Sequence, residues 1–259
     1  MLDTDFNKYL FLFNQFVSES YLDELKAPIT LSPKQITFLN RTVKNQKRII
    51  SILDHHTRKY LYISDNLEEI AGINHELLKR FGCDFFTEHI LHPDDVSMIT
   101  STVKVAKEFI TNKEYKEDVL NMSYIFNMRI VNSKNKILHL LYKGSLLEVS
   151  ENYYVELGFT FDISHWKKSI QHYLFIKAEV NDILFVCDPE SLVVEEVKLS
   201  KAQMNVLSLL AKGNSVDEVA KTLFLSKHTI ETHRKHILSK TKFNDTNELI
   251  NFALEAELI

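Results

Sequence analysis

Ser226-Lys227-His228-Thr229-Ile230-Glu231-Thr232-His233-Arg234-Lys235-His236-Ile237-Leu238-Ser239-Lys240-Thr241-Lys242 decides how the C-terminal part of this chain folds. The Ser226 hydroxyl can accept from free amides at a helix start, and a helix is expected over Lys227 to Thr241. Lys227, Arg234, Lys235, Lys240 and Lys242 face a single carboxylate, Glu231, so the segment carries a net charge of +4 with three histidines beside it. At about 100° per residue, Ile230, Ile237 and Thr241 mark one side of that helix, and His228, Thr232, Lys235, His236 and Ser239 mark the other. A helix with one apolar side and one short, polar, basic side suits the major groove of DNA.

Around it, Ser200 with Gln203, Ser215 with Glu218, and Asp245 with Glu248 each have the spacing of a capping box, which gives three more helix starts. Gly213 falls in the turn after the first helix. Val206, Leu207, Leu210, Val219, Ala220, Leu223, Ile230, Ile237, Leu238, Leu249, Ala253 and Leu254 supply an apolar core for four short helices in about sixty residues. The order Leu199-Ser200, Val206-Leu207, Leu210-Ala211-Lys212-Gly213, Glu218-Val219-Ala220 and Leu225 to Arg234 resembles the LuxR-type (FixJ/NarL-like) helix-turn-helix over residues 199–259. The resemblance implies that the helix after Ser226 is the recognition helix. It also implies that Glu231, Thr232 and Lys235 face bases, that Lys227, Thr229 and Arg234 contact the DNA backbone, and that the last helix forms a dimer contact. Two positions depart from the family pattern. Gln203 stands where an acid is common, and Glu231 where a base is often seen; an acid there repels phosphates but can accept from cytosine N4.

Towards the N-terminus the texture becomes β-like: Ile49 to Leu53, Tyr60 to Ile63, Tyr124 to Val131, Ile137 to Leu147 and Tyr153 to Phe161. Helical stretches separate the second run from the third. Polar turns at Asn132 to Lys136 and Ser150 to Asn152 make the last three an antiparallel meander. His92-Pro93-Asp94-Asp95 ahead of a helix, and Phe161-Asp162-Ile163-Ser164 at the end of the last run, resemble the HPDD and closing D-I-T/S signatures of PAS domains across about residues 46–165. The resemblance implies a five-stranded antiparallel sheet with a helical flank. Residues 1–45 are expected to be helical, with apolar positions Phe6, Tyr9, Leu10, Phe13, Phe16 and Val17 on one face and a second helix starting at Ser32-Pro33. Residues 166–198 are expected to connect the two domains, with strands at His172 to Ala178, Asp182 to Cys187 and Leu192 to Val197 and a turn at Asp188-Pro189-Glu190-Ser191, though the first run could equally extend a helix from Trp166.

Composition narrows the function. The five glycines lie too far apart for a dinucleotide or phosphate-cradling motif. Two cysteines, Cys83 and Cys187, cannot build a disulfide framework or a cysteine-rich zinc site, and they fit a reducing compartment. No apolar run reaches membrane-spanning length and no secretory signal is evident, so a cytoplasmic protein is expected. The net charge of −4 confines any nucleic-acid contact to a local patch.

Three other patterns are weaker. His89-x-x-His92 with Asp94 and Asp95 is explained by the PAS motif without a metal. Gly82-Cys83-Asp84-Phe85-Phe86-Thr87 lacks the Asn, Arg and Gln of the flavin photoreceptor motif. No histidine lies between Asp95 and Lys116 to serve as a haem ligand.

The expectation is an α+β protein: a PAS-like antiparallel five-stranded sheet with helices (46–165) and a C-terminal all-α four-helix helix-turn-helix domain (199–259). Its expected role is that of a transcription regulator, not an enzyme, without cofactor or metal. It binds double-stranded DNA as a homodimer, and its PAS domain takes a small-molecule or protein signal. The rivals are a PAS domain that only dimerises and, behind it, a flavin or haem sensor.

Overall fold

The computed structural model describes residues 31–43, 46–111, 119–150, 153–167, 171–177, 183–187 and 194–259. The amphipathic helix expected over Phe6 to Val17 lies outside them. The helix expected at Ser32-Pro33 is α1 (Pro33–Val43), opened by Ser32 and Gln35, each bonding to the other's backbone amide.

The chain then runs β1 (Arg48–Asp54), β2 (Lys59–Ile63), α2 (Leu67–Ala71), α3 (His75–Phe81), α4 (Cys83–His89), a 3-10 turn (Pro93–Asp95), α5 (Val96–Thr111), β3 (Ser123–Val131), β4 (Ile137–Ser150) and β5 (Tyr153–Asp162). These strands are antiparallel, in the spatial order 2-1-5-4-3. Two strands, a helical flank and a three-strand meander give the PAS arrangement the sequence led one to expect.

The sheet does not stop at five strands. In the segment expected to connect the two parts, β6 (His172–Lys177), β7 (Ile183–Cys187) and β8 (Val194–Val197) continue it beyond β3, for eight strands among the described residues. Between β5 and β6, Trp166 and Lys167 make turn bonds to the Ile163 carbonyl rather than starting a helix.

The family signatures have visible structural work. The Ser164 hydroxyl accepts from the His139 amide while Ile163 donates to the His139 carbonyl, which ties the end of β5 to the start of β4. Pro93 opens the 3-10 turn, and Asp95, fully buried, accepts from the Arg129 amide at 2.8 Å and from its guanidinium. His172 of β6 lies 3.3 Å from the same carboxylate through Nε2 and 3.0 Å from the Asn127 carbonyl through Nδ1. Both ring nitrogens therefore face oxygen atoms.

The C-terminal unit comprises α6 (Lys201–Ala211), α7 (Val216–Leu223), α8 (Lys227–Thr241) and α9 (Thr246–Glu255). Reciprocal capping boxes begin α6 and α7, Ser226 accepts from the Thr229 amide at the start of α8, and Asp245 accepts from two amides at the start of α9. Val206, Val219, Ala220 and Ile230 form its inner core. Leu254, expected in that core, is 49% exposed instead. On α9 the inward stripe is Leu249, Phe252 and Ala253, and Leu254 falls one step, about 100°, past it.

Because the sheet is buried on both faces, its strands alternate between two apolar environments. On one side, the helical flank and the inward residues of the strands form a core with Ile49, Phe126, Met128, Leu140 and Leu174. On the other side, α1 covers the β1 and β5 end through Leu39 and Val43 against Ile50, Ile52, Leu157 and Phe159. The β3, β4, β6 and β7 end of that same face is covered by the helical unit: Leu207, Ile237, Phe243, Leu249, Phe252 and Ala256 pack on Ile125, Leu141, Tyr173, Phe175, Leu184 and Val186.

Candidate DNA interface and sensor cavity

The cationic helix α8 turns its apolar side inward, with Ile230, Ile237 and Thr241 buried. Lys227, His228, Lys235, His236, Ser239 and Lys240 are exposed, while Thr229, Glu231, Thr232 and Arg234 are half-buried. Several of the expected DNA contacts already have partners. Lys227 Nζ lies 2.6 Å from the Asp217 carboxylate, and the Thr229 and Ser226 hydroxyls share a hydrogen bond. Thr232 donates its hydroxyl to the His228 carbonyl one turn back. Glu231 is held by Arg234, whose Nη1 donates to both of its oxygens at 2.8 and 3.0 Å, and Arg234 Nη2 donates to the Thr246 hydroxyl at the start of α9. The carboxylate that departs from the family pattern is thus neutralised within its own helix. Lys235 is exposed and has no such tether among the described residues.

Gln203, the other departure, serves as a cap and accepts weakly from Lys240 Nζ at 3.4 Å, where an acid would have formed an ion pair. Between α7 and α8, Phe224 ends α7 in the left-handed conformation, φ +55°, and is 95% exposed. No local pattern marks a phenylalanine there, because this position favours glycine or asparagine.

On the opposite side of the molecule, between the sheet and its helical flank, lies a cavity of about 250 Å³. Its walls are largely apolar, from Leu78, Phe86, Ile99, Phe126 and Leu140 among others. Among the described residues, one carboxylate reaches into it. Glu156 on β5, 3% exposed, accepts from the hydroxyls of Tyr124 and Tyr142 and lies 2.7 Å from His55 Nε2. His55 in turn stacks on Tyr154 with ring centroids 4.3 Å apart. Burial and the neighbouring Glu156 charge push the Tyr124 phenol well above its ordinary pKa, so it stays a donor.

Two glycines create this arrangement. Gly144 and Gly158 are cross-strand partners on β4 and β5. A Cβ on Gly158 would sit 2.3 Å from the Tyr142 hydroxyl, and one on Gly144 would sit 2.7 Å from the Tyr124 ring. The bare backbone leaves room for both tyrosines to lie flat over the sheet and aim at Glu156. Cys83 also lines the cavity, and burial pushes its thiol pKa up, the reverse of what a reactive cysteine needs. Among the described residues, no cluster of His, Cys, Asp or Glu has the make-up of a metal site, and no helix is long and apolar enough to cross a membrane.

The two sites share one sheet. Tyr124 and Phe126 on β3, and Leu140 and Tyr142 on β4, line the cavity, while Ile125 and Leu141 between them face the helical unit. That contact is closed by polar bonds as well. Lys167 Nζ meets the Glu248 carboxylate at 2.7 Å with both side chains buried, and Glu257 accepts from Lys143 and Lys177. Tyr173 stacks on Phe243, centroids 3.9 Å apart.

A PAS sheet with an internal cavity, joined to a four-helix unit that displays a capped cationic helix, is the build of a DNA-binding regulator. The helical unit is a LuxR-type domain: residues 197–253 match the family described as bacterial regulatory proteins, luxR family. The chain is similar to the oxygen regulatory protein NreC of Staphylococcus epidermidis, 26% identical over 171 residues, 64% of this chain and 73% of that one. To NreC of Staphylococcus carnosus it is 39% identical over 61 residues, 24% of this chain and 28% of the relative's length. Among solved structures, the Vibrio cholerae VqmA dimer aligns with 87% of this chain and 88% of its own, at 16% identity and a TM-score of 0.31.

Proposed function

We propose that the chain is a cytoplasmic transcription regulator that binds double-stranded DNA as a homodimer through α8. Its PAS cavity takes a small-molecule signal that sets how the helical unit is held. The observation that carries this reading is the shared sheet: neighbouring residues of β3 and β4 touch the cavity and the docked helical unit in alternation. A ligand that moves Tyr124 or Tyr142 moves the backbone that also presents Ile125 and Leu141.

The apolar back of α8 is buried, Ile230 in the helical unit's own core and Ile237 in the cluster shared with the sheet, while its basic side stays open, so docking does not mask it. In a dimer, two such helices must lie about 34 Å apart to enter successive major-groove turns. Control of orientation is therefore control of affinity. DNA contacts are assigned to Lys235, Lys227, Thr229, Thr232, Glu231 and Arg234, with Glu231 and Arg234 acting as a pair. Should a DNA base or phosphate draw one of them, the other is released.

The test is a titration of genomic DNA fragments, then of a footprinted site, with the full chain. Lys235→Ala is expected to weaken binding several-fold and to lower the slope of log affinity against log salt by about 1. Arg234→Ala is expected to weaken it too, with a structural component through Thr246. Affinity of the Lys235→Ala/Arg234→Ala double variant equal to that of the wild type at low salt would remove α8 from the interface.

For the dimer, Leu254 is the exposed apolar side chain on α9. Leu254→Asp is expected to shift the sedimentation profile from dimer to monomer at micromolar concentration, while the far-UV spectrum stays that of the wild type. A dimer that withstands the change would place the self-contact elsewhere.

A further inference from the structure

The cavity has a definite chemical polarity. Its buried carboxylate, Glu156, receives hydrogen bonds from neutral phenols and lies against one imidazole, and the rings of Tyr124, Tyr142, Tyr154 and Phe126 stand around it. Among the described residues, two other ionisable side chains besides the tyrosines line the wall: Arg58 is turned outward to Asp84, where both are more than half exposed, and the Cys83 thiol is kept neutral by burial. An anion would meet the carboxylate in a site of low dielectric, which is costly. A neutral apolar molecule would add nothing to the two phenols and the imidazole that already hold the carboxylate.

A protonated amine gains from both features of the site, since it pairs with Glu156 alongside His55 and lies against the electron-rich faces of the surrounding rings. The rest of the wall is apolar, and 250 Å³ is just below the usual range of about 300–1,000 Å³ for drug-sized ligands. The ligand is small, on the order of a dozen non-hydrogen atoms.

We propose that the cavity binds a compact organic amine, its ammonium group on Glu156 and its apolar body against Phe126, Leu140 and the helical flank. The proposal rests on the reading of the cavity as a signal site and gives that signal a chemical class. Gly144 and Gly158 are then specificity elements, because they let two phenols hold the carboxylate in place.

The experiment compares three probes of one shape on the full chain by isothermal titration calorimetry at neutral pH: phenethylamine, 2-phenylethanol and 3-phenylpropionate. Phenethylamine is expected to bind at least about tenfold more tightly than the alcohol, with the acid weakest. In Glu156→Gln the amine's advantage over the alcohol is expected to vanish while the alcohol's own affinity stays within a few-fold. The wild-type series stands by itself if that variant fails to fold. Equal binding of amine and alcohol to the wild type, tighter binding of the acid, or no binding of any probe up to its solubility would overturn the proposal. A footprinting titration repeated with saturating phenethylamine separates the two claims. If the amine binds through Glu156 and DNA affinity does not change, the ligand class stands and its role as the signal falls.

Discussion

Replacing Lys167 by methionine is expected to loosen the helical unit from the sheet, at a cost of about 3–5 kcal/mol to the docked arrangement. Lys167 follows β5 and Glu248 lies in the first turn of α9, so their 2.7 Å contact ties the two parts of the chain together. Both side chains are almost fully out of water, and the ammonium also lies 5.2 Å from the centre of the Tyr173 ring. Burial lowers the Lys167 pKa, and the Glu248 hydrogen bond and charge oppose that shift. Methionine fills much the same volume but leaves the Glu248 carboxylate buried without its cation. That orphaned charge carries the penalty, because undocking rehydrates it. Chemical denaturation is expected to split into two transitions, the first at lower denaturant than in the wild type. The Lys167→Met/Glu248→Leu double variant should regain most of the loss, since an apolar pair in place of a buried ion pair is close to neutral. A single transition with an unmoved midpoint in Lys167→Met would show that the apolar contacts of Tyr173, Phe243 and Phe252 alone hold the unit.

This tether was invisible along the sequence for a physical reason. Glu248 sits three residues after Asp245 and so looks like the second half of a capping box, and its actual partner is 81 residues away. The same holds at the cavity, where His55 and Glu156 are 101 residues apart and meet only through the register of β1 on β5. One local signal was available: Gly144 and Gly158 are isolated glycines inside strand patterns, which often mark a close approach of another group. What was legible had a short-range cause. The five PAS strands are bounded by polar turns, and the helix starts carry their own caps. Strand β6 gave no such pattern because Tyr173, Leu174, Phe175 and Ile176 are all buried, on both faces, and a continuous apolar run does not distinguish strand from helix. Leu254 was misplaced because a helix carrying apolar residues on adjoining faces can bury only one of them against a single neighbour.

The second large effect is expected at Asp95. Burial would raise its carboxyl pKa, but the hydrogen bonds from His172 and Arg129, and the charges behind them, outweigh it and hold the group well below the usual carboxylate range. The carboxylate joins three parts of the PAS unit: the 3-10 turn that carries it, Arg129 on β3 and His172 on β6. Asp95→Ala removes the acceptor and leaves Arg129, itself only 15% exposed, without its buried counter-charge. A loss of about 3–5 kcal/mol is expected, a large share of the 5–15 kcal/mol that stabilises a typical domain. Asp95→Asn keeps the shape and one acceptor oxygen but loses the charge, and should fall between the two. The pH dependence follows from the direction of the shift. A carboxyl whose folded pKa is lowered contributes stability that is fully present above its unfolded value, about 3.9, and is lost as pH falls towards the folded one. The wild type should therefore lose stability below about pH 4 more steeply than Asp95→Asn, whose curve is flatter there because it has no such proton to bind. Parallel acid limbs for the two proteins in urea titrations would mean that Asp95 is not the group whose protonation opens the PAS unit.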